Sequence, residues 1–149
     1  MPTSQHFHDV CNRCKAYCCT IVRPPVTEKE RQDVLNAGFK DHFIDLGNEI
    51  YKIKPGKNDN CPYLKNDYSC EIHTVKPNLC RVWPVVPRSR NTKRSCIVIK
   101  CPLYHHLSKG ELEQAKKEAE IIPLPIIRHL WTISPKFKNK FKIFEYEEI

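Results

Sequence analysis

Residues 11–19 read Cys-Asn-Arg-Cys-Lys-Ala-Tyr-Cys-Cys, which places four cysteines within nine positions: Cys11, Cys14, Cys18 and Cys19. The Cys11-x-x-Cys14 spacing lets a tight turn direct two sulfurs at one ion, and zinc and iron–sulfur proteins both use it. Adjacent side chains diverge from the backbone, so the Cys18-Cys19 pair favours two neighbouring metal centres or one multinuclear cluster. The segment therefore predicts a fold built around metal–thiolate bonds.

Further along the chain are Cys61, Cys70, Cys80, Cys96 and Cys101. Nine cysteines among 149 residues are several times ordinary usage, and an odd number cannot all form disulfides within the chain. The first ten residues lack the basic stretch and apolar core of a secretory signal, so we expect a reducing, cytoplasmic location. Paired cysteines in that compartment are more often metal ligands or reactive thiols than disulfides. Buried or redox thiols remain the alternative interpretation.

Length and composition limit the other classes of protein. The length suits one domain, and we expect residues 1–149 to form a single metal-binding domain. Its cysteine cluster would occupy residues 11–102, followed by a helical and basic C-terminal part over residues 103–149. The longest apolar stretch, Ile121–Ile127, contains two prolines and is far shorter than the ~20 residues of a membrane helix. No membrane partner is therefore expected.

Local signals predict both helices and strands. Two Thr/Ser-x-x-Glu capping boxes, at residues 27–30 and 108–111, predict helices that end near Gly38 and about Ile122. Lys76-Pro77-Asn78 is expected to open a helical turn that carries Cys80 and Trp83. Strands are expected at residues 50–54, 95–101 and 137–144, a hairpin around residues 65–67, and a basic polar loop at residues 88–94. These elements predict an α+β fold, a small single domain in which short helices and a small antiparallel sheet surround a cysteine-bound metal centre.

The residues around the cysteines extend the pattern. After residues 11–19 come Cys-Pro-Tyr-Leu at 61–64, Cys-Glu-Ile at 70–72 and Lys-Pro-Asn-Leu-Cys-Arg-Val-Trp-Pro at 76–84. The series resembles the cysteine-cluster family of zinc- or iron-chelating domains, whose pattern is CxxCxxxCC, CPxL, CxI and RPxxCRxFP with a later eighth cysteine. Lys76, Trp83 and His73 stand where the family commonly has Arg, Phe and Tyr, and no cysteine of the pattern is lost.

That resemblance covers about residues 11–102 and implies a metal-binding fold. Cys101-Pro102 resembles the family's closing cysteine, and Cys-Pro also ends ligand runs in ferredoxin-type clusters. Cys96 is then expected to be a packed thiol, five residues away and on the opposite face of a strand. The expected metal ligands are Cys11, Cys14, Cys18, Cys19, Cys61, Cys70, Cys80 and Cys101. Eight thiolates suit two zinc ions, two iron–sulfur clusters, or one of each, and thiolate softness does not separate these possibilities.

Several other side chains are candidates for a role at the site. Among the histidines, His73 is the one to test as a ligand, whereas His6, His8, His105 and His106 are expected at the surface. Lys76 and Arg81 flank Cys80, where a cation would offset thiolate charge, and Trp83 is expected to pack in the core. Phosphate contacts or protection of a strand edge would explain the cations of the predicted basic loop and tail: Arg88, Arg90, Lys93, Arg94, Lys136, Lys138, Lys140 and Lys142.

The sequence thus predicts a metal-binding protein holding zinc or an iron–sulfur cluster, with a structural, electron-transfer or accessory role. Its expected partners are metal ions and a protein, with nucleic acid less favoured. One alternative is a redox or protein-modification enzyme that depends on the cluster, since one relative in the family is a domain of a flagellin lysine methylase. The other is a zinc-stabilised nucleic-acid-binding module. Motifs for phosphate loops, serine nucleophile elbows and zinc proteases are absent from the sequence, which leaves enzymatic activity open.

Overall fold

The structure is a computed structural model that describes residues 24–91, 93–132 and 145–149. These residues form four α-helices, six strands and two 3₁₀ turns, which confirms the predicted α+β class. In chain order the elements are β1 (Pro25–Thr27), α1 (Glu28–Asn36), β2 (Phe43–Asp45), β3 (Ile50–Ile53), a 3₁₀ turn (Lys57–Asp59), α2 (Asn78–Arg81), β4 (Val85–Arg90), β5 (Lys93–Ile99), a second 3₁₀ turn (Tyr104–His106), α3 (Lys109–Glu120), α4 (Leu124–Thr132) and β6 (Tyr146–Glu148).

The first sheet is antiparallel, with strand order β1-β3-β2. The predicted capping box is present at the start of helix α1, directly after β1. Thr27 Oγ1 accepts a hydrogen bond from the Glu30 amide at 3.2 Å, and the Glu30 carboxylate accepts one from the Thr27 amide at 3.0 Å. The helix ends before Gly38, whose φ of +92° suits glycine because the residue has no Cβ. The predicted helix is therefore confirmed at both ends.

A small core lies beneath this sheet and is formed by four buried side chains, Val34, Ile53, Tyr63 and Ile72. The Tyr63 hydroxyl donates a hydrogen bond to the Lys40 carbonyl at 2.5 Å and accepts one from the His42 amide at 3.2 Å. Burial raises the pKa of Tyr63 to about 12, so the hydroxyl remains a donor at neutral pH. The phenol thus ties the chain before β2 to the turns that follow β3.

The second sheet is also antiparallel, with strand order β4-β5-β6. The predicted basic loop at residues 88–94 is wrong, because β4 continues to Arg90 and β5 begins at Lys93, in register with it. Proline is tolerated on an edge strand, and β4 is one, so Pro87 does not end the strand. The turn includes Asn91 with a φ of +57°, a conformation that asparagine adopts more readily than most residues.

A larger core joins β4 and β5 to helices α2, α3 and α4 and includes Ile50 of the first sheet. The Trp131 indole N–H donates to the Pro87 carbonyl at 2.9 Å, so α4 is held against β4. Arg94 donates to the carbonyls of Glu120 and Ile122, at 2.8 and 2.6 Å, and satisfies acceptors at the end of α3. This core fixes the position of α2.

The C-terminal residues complete the second sheet. Strand β6 pairs with β5, and two ion pairs, Arg88–Glu148 at 2.8 Å and Lys100–Glu147 at 3.5 Å, accompany the pairing. The strand predicted at residues 137–144 lies outside the described residues. None of the helices in the described part of the chain is long and apolar enough to cross a bilayer.

Candidate metal centre

Five of the nine cysteines lie in the described part of the chain, on five separate elements or turns. The predicted ligands Cys11, Cys14, Cys18 and Cys19 lie outside the described residues, as do His6, His8 and the lysines at 136, 138, 140 and 142. The structure therefore informs the placement of Cys61, Cys70, Cys80, Cys96 and Cys101.

Cys61 and Cys70 both pack against the small core and are half-buried. The Cys61 carbonyl accepts a hydrogen bond from the Leu64 amide at 3.0 Å, and the Cys70 carbonyl accepts one from the His73 amide at 3.3 Å. Each cysteine is thus the first residue of a tight turn. An isolated bridge between Leu64 and Cys70 stands where the sequence predicted a hairpin, and it brings the two turns side by side.

Gly56 lies directly behind the Cys61 turn. Its amide donates to the Asn60 carbonyl at 2.8 Å, and a Cβ at this position would lie 3.0 Å from that oxygen and 3.1 Å from the Pro62 Cα. Real Cβ atoms rarely come that close to backbone atoms, so only glycine fits without moving residues 60–62. The backbone ahead of Cys61 is therefore fixed by close packing.

Gly56→Ala is expected to destabilise the protein by about 1–3 kcal/mol, since the extra methyl group overpacks a backbone that has no room to relax. The matched control is Gly110→Ala in α3, where the nearest atom to a new Cβ is Ser108 Oγ at 4.0 Å. That substitution is expected to stabilise by about 0.5–1 kcal/mol, because alanine favours a helix more than glycine does. Urea unfolding of both variants measures the difference, and equal effects would contradict the close packing at Gly56.

Cys80 lies on α2, a helix of only four residues. Leu79 and Val82 are buried in the larger core, whereas Cys80 is half-buried on another side of the helix. The carbonyl of Pro77 accepts hydrogen bonds from the amides of Cys80 and Arg81, both at 3.0 Å. The predicted helical turn is confirmed, and the packing of its neighbours fixes the direction in which Cys80 leaves the helix.

Cys96 and Cys101 both belong to the larger core. Cys96 is a buried free thiol in the middle of β5, opposite Pro87, whereas Cys101 lies two residues beyond the end of that strand. The Cys101 carbonyl accepts a hydrogen bond from the Tyr104 amide at 2.9 Å, so this cysteine also begins a turn. Burial, and secondarily the Glu120 carboxylate, raise the pKa of Cys96, which disfavours the thiolate form that binds metal.

Cys96→Ala is expected to leave the metal content per chain unchanged and to lower stability by about 1 kcal/mol through a small cavity. Cys101→Ala is expected to reduce the metal content, because this cysteine belongs to the predicted ligand set. Elemental analysis of the two purified variants makes the comparison. Loss of metal in Cys96→Ala with full retention in Cys101→Ala would reverse the assignment.

The side chains near these cysteines that the sequence singled out differ in their exposure to solvent. Burial, followed by the charge of Lys76, lowers the pKa of the half-buried His73, which keeps its imidazole neutral at pH 7. Arg81 is exposed, and its guanidinium makes a long 3.5 Å contact with the Lys76 carbonyl. Trp83 packs against the larger core, as predicted. Whether His73 is a ligand stays a prediction.

Two of the arginines in the predicted basic loop are engaged within the fold. Arg88 donates from Nε to Ser95 Oγ at 3.1 Å and pairs with Glu148, while Arg94 holds the end of α3. Arg90 and Lys93 are exposed where β4 meets β5. The nucleic-acid alternative remains a prediction, and its basic surface on this hairpin is smaller than the sequence indicated.

No group of three or more histidine, cysteine, aspartate or glutamate side chains within residues 24–91, 93–132 and 145–149 is arranged to hold a metal ion. The chemistry of the donors nevertheless suits zinc or iron, because cysteine sulfur is the preferred ligand in structural zinc and iron–sulfur sites. The described cysteines thus lie on separate elements and turns.

Fold and cysteine placement define a cysteine-rich α+β domain. Residues 10–117 match the model of the CxxCxxCC family, described as "Putative zinc- or iron-chelating domain", and the chain belongs to this family. The resemblance that the cysteine motifs predicted is confirmed, and family membership supports metal binding without deciding between zinc and iron. Comparisons with curated proteins and with solved structures return no match.

Proposed function

We propose that this chain holds zinc or an iron–sulfur cluster through eight cysteine thiolates, in a structural, electron-transfer or accessory role. The proposed ligands are Cys11, Cys14, Cys18, Cys19, Cys61, Cys70, Cys80 and Cys101. The observation that carries the proposal is the family match, because the region from residue 10 to residue 117 contains all eight. We also propose that residues 1–149 form one domain around this centre.

The turn geometry supports the choice of ligands. Cys61, Cys70 and Cys101 each begin a turn that is closed by a hydrogen bond to the cysteine carbonyl. In such a turn the following backbone N–H groups lie near the first side chain, where they stabilise a thiolate by hydrogen bonding. Cys96, in the middle of a strand, lacks this arrangement. Three of the proposed ligands therefore share a position at the start of a turn, and Cys96, which is not a proposed ligand, does not have it.

The N-terminal cysteines are the natural source of the remaining donors. Cys19 precedes Pro24 by five residues, which span at most about 18 Å when fully extended. Pro24 is fully buried beside β1, so the point at which the N-terminal segment joins the fold is fixed. Closure of a site between this segment and the described cysteines would couple metal binding to folding. Reduced thiolates suit the cytoplasm, where we propose that the protein acts.

The test is metal analysis of protein purified anaerobically. A brown protein with broad visible absorption, and with iron and sulfide in stoichiometric amounts, would establish the iron–sulfur form. A colourless protein with stoichiometric zinc would establish the structural zinc form. Protein that contains neither metal and takes up neither on reconstitution would overturn the proposed function.

A further inference from the structure

The helix that carries Cys80 has no cap of its own. Pro77 occupies the N-cap position of α2 and makes no side-chain hydrogen bond to the helix. The first amide groups of a helix have no partner within it and need an acceptor from elsewhere. For Asn78, the first residue of α2, that acceptor is Glu30 Oε2 at 2.6 Å, supplied from 48 positions earlier in the chain.

The other oxygen of the same carboxylate is committed to helix α1. Glu30 Oε1 accepts hydrogen bonds from the Thr27 amide at 3.0 Å and from Thr27 Oγ1 at 3.2 Å. One half-buried carboxylate therefore closes the capping box of α1 and supplies the missing cap of α2. Each oxygen serves a different element, so Glu30 acts as a clamp between them.

Of the two clamped helices, α2 carries a proposed ligand and α1 belongs to the part of the fold that supports it. In the sequence, strand β1 and helix α1 come after the N-terminal cysteines, and in the fold α2 packs against β1 and carries Cys80. Because Pro24 is buried and β1 is paired with β3, the N-terminal segment enters the fold at a fixed point. The Glu30–Asn78 bond sets the position of Cys80 relative to that point.

We propose that Glu30 is a positioning residue for the metal centre, which holds the helix of the proposed ligand Cys80 against β1 and α1. The inference rests on the proposed function. Residues outside the ligand set that orient metal ligands commonly change metal affinity by about 10–100-fold when they are replaced. We expect an effect in that range for Glu30, which acts through the Asn78 amide two residues before Cys80.

The test uses two variants that break the clamp from opposite sides. Glu30→Gln retains an oxygen for the α1 capping box, which glutamine supports, but directs an NH₂ group or a weaker neutral acceptor at the Asn78 amide. Asn78→Pro removes the amide itself, and proline suits the first position of a helix. Pro77 already has φ −56° and ψ 152°, the extended conformation that a following proline requires.

The matched control is Thr27→Ala, which removes the hydroxyl of the α1 capping box and leaves the Glu30–Asn78 bond intact. Affinity for zinc is measured on the full chain by competition with a chromophoric chelator, alongside urea unfolding. We expect about tenfold weaker binding for Glu30→Gln and Asn78→Pro, and less than twofold for Thr27→Ala despite its loss of stability. The double variant should bind no more weakly than either single variant, because both remove one bond.

Native affinity in both clamp variants, or equal weakening in all three variants, would overturn the positioning role and leave the proposed function standing. If the native chain itself binds neither zinc nor iron, the proposed function fails first. The two failures are thus distinguishable, because iron uptake by the native chain is measured in the reconstitution that tests the proposed function.

Discussion

Removal of the metal is expected to unfold the turns between residues 57 and 75 while the second sheet and helices α2, α3 and α4 stay folded. Among the described residues, the small core holds four buried side chains, whereas the larger one holds seventeen. Cys61 and Cys70 pack against the small core and lie on turns that contain no paired strand longer than one bridge. Without metal–thiolate bonds, this part of the chain has the least burial to offset the entropy of ordering its backbone.

This prediction is tested by measuring the hydrogen exchange of individual backbone amides in metal-loaded and in chelator-stripped protein. The amides of Leu64 and Glu71, bonded to the carbonyls of Cys61 and Tyr63, should lose protection by several orders of magnitude on stripping. The amide of Ile99, bonded to the Pro84 carbonyl inside the larger core, is the internal control and should stay protected.

The expected loss of amide protection is large because a structural metal contributes much of the free energy of folding. Structural zinc contributes about 10–16 kcal/mol to the folding of small zinc domains, which equals or exceeds the total stability of about 5–15 kcal/mol for an ordinary domain. Loss of protection confined to the turns would support a metal that organises this half of the fold. Unchanged protection throughout would contradict a structural metal, and equal loss at Ile99 would contradict the independence of the larger core.

Replacement of Cys61 or Cys70 by serine is expected to release the same metal centre. Both side chains pack on one small core, and the 2.9 Å bond from the Lys65 amide to the Ser69 carbonyl closes the chain between them. If the binding free energy of a structural zinc site is divided equally among four ligands, each thiolate accounts for about 100- to 1,000-fold in zinc affinity. Each single variant should therefore lose this centre and keep any other.

The decisive measurement is the metal content of the double variant Cys61→Ser/Cys70→Ser beside that of the single variants. If the two cysteines share a centre, the double variant loses no more metal than either single variant, because the second substitution acts on a centre already lost. Cys96→Ala serves as the control for a buried cysteine outside the set. Additive loss in the double variant would assign the two cysteines to different centres.

The features predicted correctly from the sequence depend on neighbours within a few positions. Thr27 with Glu30, and Ser108 with Glu111, form capping boxes in the structure because each box is closed by hydrogen bonds over three residues. The helical turn at Cys80 follows similarly from Pro77, which suits the start of a helix. The prediction of a loop at residues 88–94 was wrong because it rested on Pro87 and on the four cations of this segment. The pairing of β4 with β5 joins residues on either side of the turn, and the local pattern does not show it.

The sequence alone therefore determined the family, the helix starts and the spacing of the donors, since these are recorded in short motifs. Only the tertiary structure decided which core four of the described cysteines join: the small one for Cys61 and Cys70, the larger one for Cys96 and Cys101. It also decided that Glu30, which the sequence marks only as a helix cap, reaches the Cys80 helix. Such contacts join residues tens of positions apart, and packing of the whole chain, rather than any local propensity, selects them.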